Sequence, residues 1–285
     1  MCANPNIQHV YKSFKSLKKV FPFKGCMEES SLFGIIIGRM MPDYLPAGSR
    51  ILDFGCGPCD KTALYQRLGY ECYACDDLND DWHKEGDNRK IIKAFAESEG
   101  IRFLQTSNGN LPYDDEFFDA ILLIDIVEHL HDTPRSLLNL LISKLKTNGL
   151  VFVGMPNSVS IRKRISVSLG RTNYPSLESY YFSKEPWRGH IREYTLQETK
   201  KLLTYQGLSV LYARGVNIFA HHKITNRGVR LLYCLLTRLF PALSEGVLVV
   251  ARKRKDWRPV PYKRDKHIQH SKTPAFSTEQ QTCES

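Results

Sequence analysis

The sequence predicts an α/β chain built on a mainly parallel, doubly wound sheet. Seven short apolar runs, at 49–54, 70–75, 101–105, 118–124, 149–155, 208–214 and 246–252, read as strands. Helical patterns lie between most of them, and strands alternating with helices build a parallel sheet covered on both faces. The first run leads straight into a turn of Gly55, Cys56 and Gly57, after which Lys61 to Leu68 have helical character. With 285 residues, 42% apolar and 25% charged, the chain can bury a sizeable core, which excludes a disordered or collagen-like protein.

The elements follow in order. Residues 1–48 precede the first strand, and the apolar run Leu32 to Met41 predicts a cap helix there. The second strand ends at Asp76 and Asp77. The clearest helix covers 134–146, where Leu137, Leu138, Leu141, Ile142 and Leu145 form one stripe and Asn148-Gly149 closes it. Besides residues 1–48, two further segments exceed what the sheet needs. Residues 156–194 are rich in Ser, Arg and Tyr, and residues 215–245 contain Leu231 to Leu236 flanked by Arg227, Arg230 and Arg238. Both are expected at the loop ends of the sheet as acceptor or lid insertions within a main domain of 49–252. Residues 253–285 are polar and aperiodic and read as a disordered basic tail.

The formal charge of +10 is concentrated at the ends. Residues 1–25 carry five lysines and no acid, residues 252–285 carry nine basic against four acidic side chains, and the rest is neutral overall. A nucleic-acid enzyme concentrates charge around its groove, so this distribution argues against a nucleic-acid substrate. Basic ends suit solvated tails or peripheral contact with acidic lipid headgroups. The first 25 residues have no unbroken apolar core and no small-residue cleavage site, and the expectation is a cytoplasmic chain.

Cys56-x-x-Cys59 and Cys72-x-x-Cys75 approach a four-cysteine zinc spacing. Residues 70–75 read as a strand, however, and strand positions three apart face opposite sides, so Cys72 and Cys75 cannot share one ion. Reduced, structural cysteines are expected.

The glycine turn carries the functional reading. Gly-x-Gly after a strand lets backbone approach a cofactor closely. A pyrophosphate-bearing dinucleotide would call for a third glycine and bare amides. Here Asp60 stands at that third position and Asp53 lies two residues before the first glycine, and both carboxylates repel a pyrophosphate. They suit an ammonium and a sulfonium. Asp76-Asp77, about twenty residues on, can accept hydrogen bonds from ribose hydroxyls. The two strand ends describe a site for a nucleoside joined to a cationic amino acid.

From about residue 48 to 214 the chain resembles the class I S-adenosylmethionine-dependent methyltransferases. Ile51 to Gly57 is similar to that family's first motif, and Asp76 to its ribose acid. Asn110 to Tyr113, Phe118-Asp119, Val127 to Leu130 with Pro134, Asn148 to Val153 and Pro156-Asn157 resemble the subgroup around the ubiquinone-biosynthesis O-methyltransferases. Gly189 to Thr195 is similar to that subgroup's small-molecule and sugar methyltransferases. The resemblance implies a Rossmann-like seven-stranded sheet, mainly parallel with a reversed last strand, and S-adenosylmethionine held by Asp53, Gly55, Cys56, Gly57, Asp76, Asp77, Ser107, Asn108 and Asp125. Cys59 stands where the family has a third small residue, and Ser107 or Asn108 where an acid often faces the adenine.

Methyl transfer to a hydroxyl also needs a base, and histidine has the suitable pKa. His129 and His190, with Glu128 beside His129, are the candidate catalytic residues, with His131 behind them. Asp125, Glu128 and His129 are crowded oxygen and nitrogen ligands, but such acids more often line the cofactor pocket, and no metal is expected. The acceptor is expected to be a small molecule or a glycan. Tyr174, Tyr180, Tyr181, Phe182 and Trp187 offer aromatic faces for it, and Arg162, Lys163, Arg164, Arg171, Arg188 and Arg192 offer cations for a phosphate or carboxylate. Alternatives are an RNA- or protein-directed methyltransferase and a non-catalytic cofactor-binding domain. No Asn/Asp-Pro-Pro-aromatic motif follows the fourth strand, where Asp125-Ile-Val-Glu stands instead.

Overall fold

A computed structural model describes residues 5–23, 26–106, 110–217 and 224–262. Seven strands, β1 (Arg50–Phe54), β2 (Glu71–Asp76), β3 (Arg102–Gln105), β4 (Phe118–Ile124), β5 (Leu145–Pro156), β6 (Leu208–Val216) and β7 (Gly246–Lys253), form one sheet in the order β3-β2-β1-β4-β5-β7-β6. Neighbours from β3 to β5 are parallel, and β7 runs antiparallel to both β5 and β6. The last strand is thus reversed, and it is inserted between β5 and β6 rather than added at the edge. The chain leaves β1 toward β2 on one side and returns as β4 on the other, so the carboxyl ends of β1 and β4 open a crevice at the switch point.

Alternating side chains feed two apolar layers. On one face Ile51, Ala120, Leu122, Phe152 and Val250 pack with Val10 and Leu17 of α1 (Pro5–Val20) and with Phe33 and Ile37 of α2 (Cys26–Met40). The same layer includes α3 (Asp60–Arg67) and α5 (Asn88–Ser98), which follows the short α4 (Asp81–Lys84). On the other face Leu52, Ile121, Val151 and Val249 pack with Leu138 and Leu141 of α6 (Pro134–Lys144) and Leu203 of α9 (Leu196–Tyr205). Cys72 and Cys75 fall on opposite layers, and Cys56, Cys59, Cys72 and Cys75 are all free thiols. Between β5 and α9 lie α7 (Ile161–Ser168) and α8 (Leu177–Tyr181); between β6 and β7 lies α10 (Arg227–Leu239).

Three expectations change. The N-terminal cap is two helices, because Val10, Leu17 and Phe21 bury an apolar stripe between the lysines of α1. Helix α6 stops at Lys144, since Leu145 already pairs with Phe118 in the sheet, and Asn148 takes a left-handed φ of 66° within the strand. Residues 253–262 are ordered: the Trp257 indole is buried and donates to the Gln206 carbonyl at 2.8 Å, and Asn139 exchanges two 2.9 Å hydrogen bonds with the Val260 backbone. The rest of the expected tail, 263–285, lies outside the described residues. Among the described residues no helix is long and apolar enough to cross a membrane.

Candidate functional site

The turn after β1 is built for close backbone approach. Gly55 and Gly57 have φ of 72° and 54°, and a Cβ on Gly55 would come within 2.0 Å of Ile126 Cδ1. The Gly55 amide donates to the Cys75 carbonyl at 2.8 Å, tying the turn to β2. Asp76 completes the tie, as one carboxylate oxygen accepts from Gly57 N at 2.9 Å and the other from Leu78 N at 2.7 Å. A cavity of about 690 Å³ opens in front of this turn, within the range of cofactor pockets. Gly55, Gly57, Asp76, Asp77, Asp125 and His129 all line it.

The remaining expected cofactor residues lie elsewhere. Asp53 is buried beneath the turn, where it accepts from Thr62 Oγ1 at 2.5 Å. Burial pushes its pKa up to about 6, against the opposing Lys61 charge and the Thr62 hydrogen bond. Cys56 and Cys59 face the core, with sulfurs 3.6 Å apart, and neither lines the cavity. The Cys59 thiol therefore does not crowd the cavity as its position in the sequence suggests. Ser107 and Asn108 lie outside the described residues; their neighbour Thr106 lines the cavity.

A strap from the insertion, residues 186–188, lies against the same cavity. The Arg188 guanidinium grips Asp77 at 2.9 and 3.0 Å and Asp80 at 2.7 Å. Burial acts to raise the Asp77 pKa, but Arg188 and the Asn79 amide hold it below the usual carboxylate range. His129 Nδ1 lies 2.8 Å from the Arg188 carbonyl and His131 Nε2 lies 2.7 Å from that of Trp187, so both rings pin the strap. Arg188 thus closes on acids of the protein itself, and Trp187 lines the cavity in front of the glycine turn.

A second cavity, of about 680 Å³, lies between α7 and α10. Its wall includes Ile161, Ile165, Leu232 and Leu236, with Arg162 and Lys163, His190 and Glu193 among its polar groups. His190 Nδ1 sits 2.8 Å from Glu193 Oε1, and the other Glu193 oxygen pairs with Lys163. Burial, then the neighbouring His129 and Lys163, push the His190 pKa down to about 4, so the ring is neutral at neutral pH. The other expected anchors are engaged or turned away: Arg164 donates to the Val159 carbonyl, Arg192 pairs with Glu198, and Tyr174, Tyr180, Tyr181 and Phe182 are exposed and line neither cavity.

Asp125, at the end of β4, lines both cavities. It holds a left-handed φ of 58°, rare for a non-glycine residue and typical of strained functional positions. The His129 and His190 rings meet edge to face, 4.8 Å between centroids, one lining each cavity. Glu128 lies beside them, fully buried, with neither carboxylate oxygen hydrogen-bonded. Burial and then the Asp125 charge raise its pKa to about 8. Glu128, His129 and His190 each offer a ligand atom within 4.8 Å of the others, a donor set that fits a divalent ion. Sequence reasoning missed Glu193 as the partner of His190. Its three-residue spacing from His190 is the one local hint, and it carries meaning only once both side chains are seen on one wall.

Comparison with known proteins agrees with this geometry. Residues 36–213 match the methyltransferase-domain family. A ubiquinone biosynthesis O-methyltransferase of Ruegeria sp. (strain TM1040) is 31% identical over 139 residues, covering 48% of this chain and 53% of that protein. The chain therefore spans about half the length of that relative. A ubiquinone/menaquinone biosynthesis C-methyltransferase of Idiomarina loihiensis is 24% identical, covering 61% of this chain and 73% of that one. A crystal structure titled as S-adenosylmethionine-dependent methyltransferases, from Methanosarcina mazei, shares the fold with a TM-score of 0.51 and 16% identity over 75% of this chain and 97% of that one. With the glycine turn, Asp76 at the end of β2 and the switch-point crevice in place, the chain belongs to the methyltransferase-domain family, in its class I form with S-adenosylmethionine as cofactor.

Proposed function

We propose that this methyltransferase acts on a hydroxyl oxygen of a small, largely apolar acceptor seated in the second cavity. The observation that carries the reading is the meeting of two cavities at Asp125, with the His129 and His190 rings between them. Bound S-adenosylmethionine supplies a methyl group made electrophilic by its sulfonium sulfur. The chain's part is alignment, exclusion of water and proton removal. Gly55 and Gly57 bring bare backbone to the cofactor, Asp76 offers its free lone pairs to the ribose, and the Arg188 strap covers the cavity.

His190 is the base. With its Nδ1 proton donated to Glu193, Nε2 is left unprotonated to take the hydroxyl proton as the oxygen bonds to the methyl carbon. Arg162 and Lys163 suit a carboxylate or phenolate on the acceptor. The apolar wall and the absence of Tyr174, Tyr180, Tyr181 and Phe182 from it support a ring with an apolar substituent over a glycan. Relatives named for ubiquinone biosynthesis support a small-molecule acceptor as well.

One variation rests on Glu128, His129 and His190, which would hold a divalent ion between them; bound there, it would supply Lewis-acid chemistry to the acceptor hydroxyl. The test is a screen of hydroxylated aromatic compounds, with and without alkyl chains, using methyl-deuterated S-adenosylmethionine and mass spectrometry. The expected product is a methyl ether whose formation needs His190. Labelled products only on nitrogen or carbon would overturn the assignment, and loss of turnover in chelator with recovery on Mg²⁺ would select the metal-assisted form.

A further inference from the structure

We infer that the outer face of α10, with the neighbouring α7, docks this protein on an anionic lipid surface, so that a lipid-embedded acceptor enters the second cavity from the bilayer. The cofactor and base assignments stand apart from this; the inference rests on the proposed acceptor cavity only for what would enter there. Helix α10 divides into three strips. Thr237 is buried and faces the body of the protein; Val229, Leu232, Tyr233 and Leu236 line the cavity; Leu231, Leu235 and Leu239 point away from both, 72%, 53% and 62% exposed. Such an outward apolar ridge is costly in water and unusual on a monomer. These exposures show that this face does not pack on the sheet.

Two observations name the occupant. Three arginines, Arg227, Arg230 and Arg238, lie on α10, which has no acidic residue. Helix α7, on the opposite wall of the cavity, repeats the pattern with the exposed Arg162 and Arg164, no acid, and an exposed Ile165 and Val167, its Lys163 being turned inward onto Glu193. An apolar ridge flanked by cations is the composition of a helix lying in a lipid interface, with leucines among the acyl chains and arginines at anionic headgroups. A two-fold pairing of identical copies through the same ridge would instead set cation against cation. The second observation is continuity: Val229 and Leu232 are both half or more exposed and part of the cavity wall, so the ridge runs directly into the acceptor site.

The full chain should be mixed with vesicles of phosphatidylcholine alone and of phosphatidylcholine with roughly one-third phosphatidylglycerol, and binding read by sedimentation and tryptophan fluorescence. The parent is expected to bind the anionic vesicles and to bind them less as salt rises. The double variant Leu231→Glu/Leu235→Glu, which leaves the cavity wall intact, is expected to bind at least about tenfold more weakly, with unchanged melting temperature and unchanged S-adenosylmethionine binding. Arg227→Gln/Arg238→Gln is expected to lose the preference for phosphatidylglycerol. Three results would overturn the inference: no binding by the parent, equal binding by parent and Leu→Glu variant (basic chain ends then do the work), or a parent dimer that the Leu→Glu variant dissolves without vesicle binding. Calorimetry with S-adenosylmethionine on the same samples reports on the cofactor site separately.

Discussion

Replacing Asp76 by alanine should remove most cofactor affinity while leaving a folded protein. The carboxylate has two duties. It holds the Gly57 and Leu78 amides at 2.9 and 2.7 Å, and it lines the cavity where the ribose of S-adenosylmethionine is expected. A hydrogen bond to a charged acceptor is worth about 1.5–3 kcal/mol. Losing two such bonds to the ribose diols costs about 3–6 kcal/mol, roughly two to four orders of magnitude in Kd. The Gly57 amide lines the cavity and can turn to water, while Leu78 is buried and its amide loses its partner, so the stability cost is about 1–3 kcal/mol, or a few degrees in Tm for a chain of this size. Asp76→Asn should fall between, because an amide can accept one bond where the carboxylate accepts several. Calorimetric titration with S-adenosylmethionine gives the Kd values, and calorimetric melting gives the stability. If Asp76→Ala binds within about threefold of the parent, the ribose is not at the end of β2 and the placement of the cofactor is wrong.

His190→Ala is expected to keep cofactor binding and lose about two to four orders of magnitude in kcat on a hydroxyl acceptor, with Glu193→Gln losing less, read in single-turnover assays. The His190 pKa, near 4 when folded, lies below its unfolded value, so the unfolded chain takes up the proton first as pH falls. The resulting stability is whole above about pH 6.5 and drains away toward pH 4, and His190→Ala should flatten that part of the Tm-against-pH curve. Glu128 has the opposite sign: its folded pKa, near 8, lies above the unfolded value, so the folded state is favoured at low pH and loses ground as pH rises from about 4.5 to 8. Glu128→Gln should therefore melt higher than the parent at pH 8, by a margin on the order of a few kcal/mol that shrinks at pH 5; an unchanged difference would contradict the buried, unpartnered acid. Gly55→Ala meets Ile126 Cδ1 at 2.0 Å and strains a φ of 72°, so it should destabilise the turn by about 2–4 kcal/mol, and Ile126→Ala in the same chain should return part of that loss in thermal melts.

The sheet was legible because its signal is local. Each strand is an apolar run with a turn behind it, and the crevice follows from the order in which strands alternate with helices. The glycine turn and Asp76 could be read for the same reason, since the turn and the strand end each carry their chemistry within a few residues. Helix α1 was hidden because five lysines dominate residues 1–25, although Val10, Leu17 and Phe21 keep a helical spacing among them. Trp257 and Val260 were missed because single anchors docking on Gln206 and Asn139 leave no periodicity. The strap has the same character. Arg188 meets Asp77 and Asp80 across more than a hundred residues of chain, so the sequence offered it as a ligand for an acceptor anion when it is a clasp on the protein's own acids. Asp53 shows the converse: its place before Gly55 pointed to ligand contact, but the strand's alternation turns it inward beneath the turn.

The central claim is that the acid-rimmed turn between β1 and α3 receives S-adenosylmethionine, and the most direct measurement is calorimetric titration of the purified chain with S-adenosylmethionine and, separately, with NAD. The account predicts saturable S-adenosylmethionine binding in the micromolar range and no heat with NAD, whose pyrophosphate would meet the carboxylates of Asp76, Asp77 and Asp125 that line the cavity. NAD binding, or no S-adenosylmethionine binding by a chain that melts cooperatively, would contradict it.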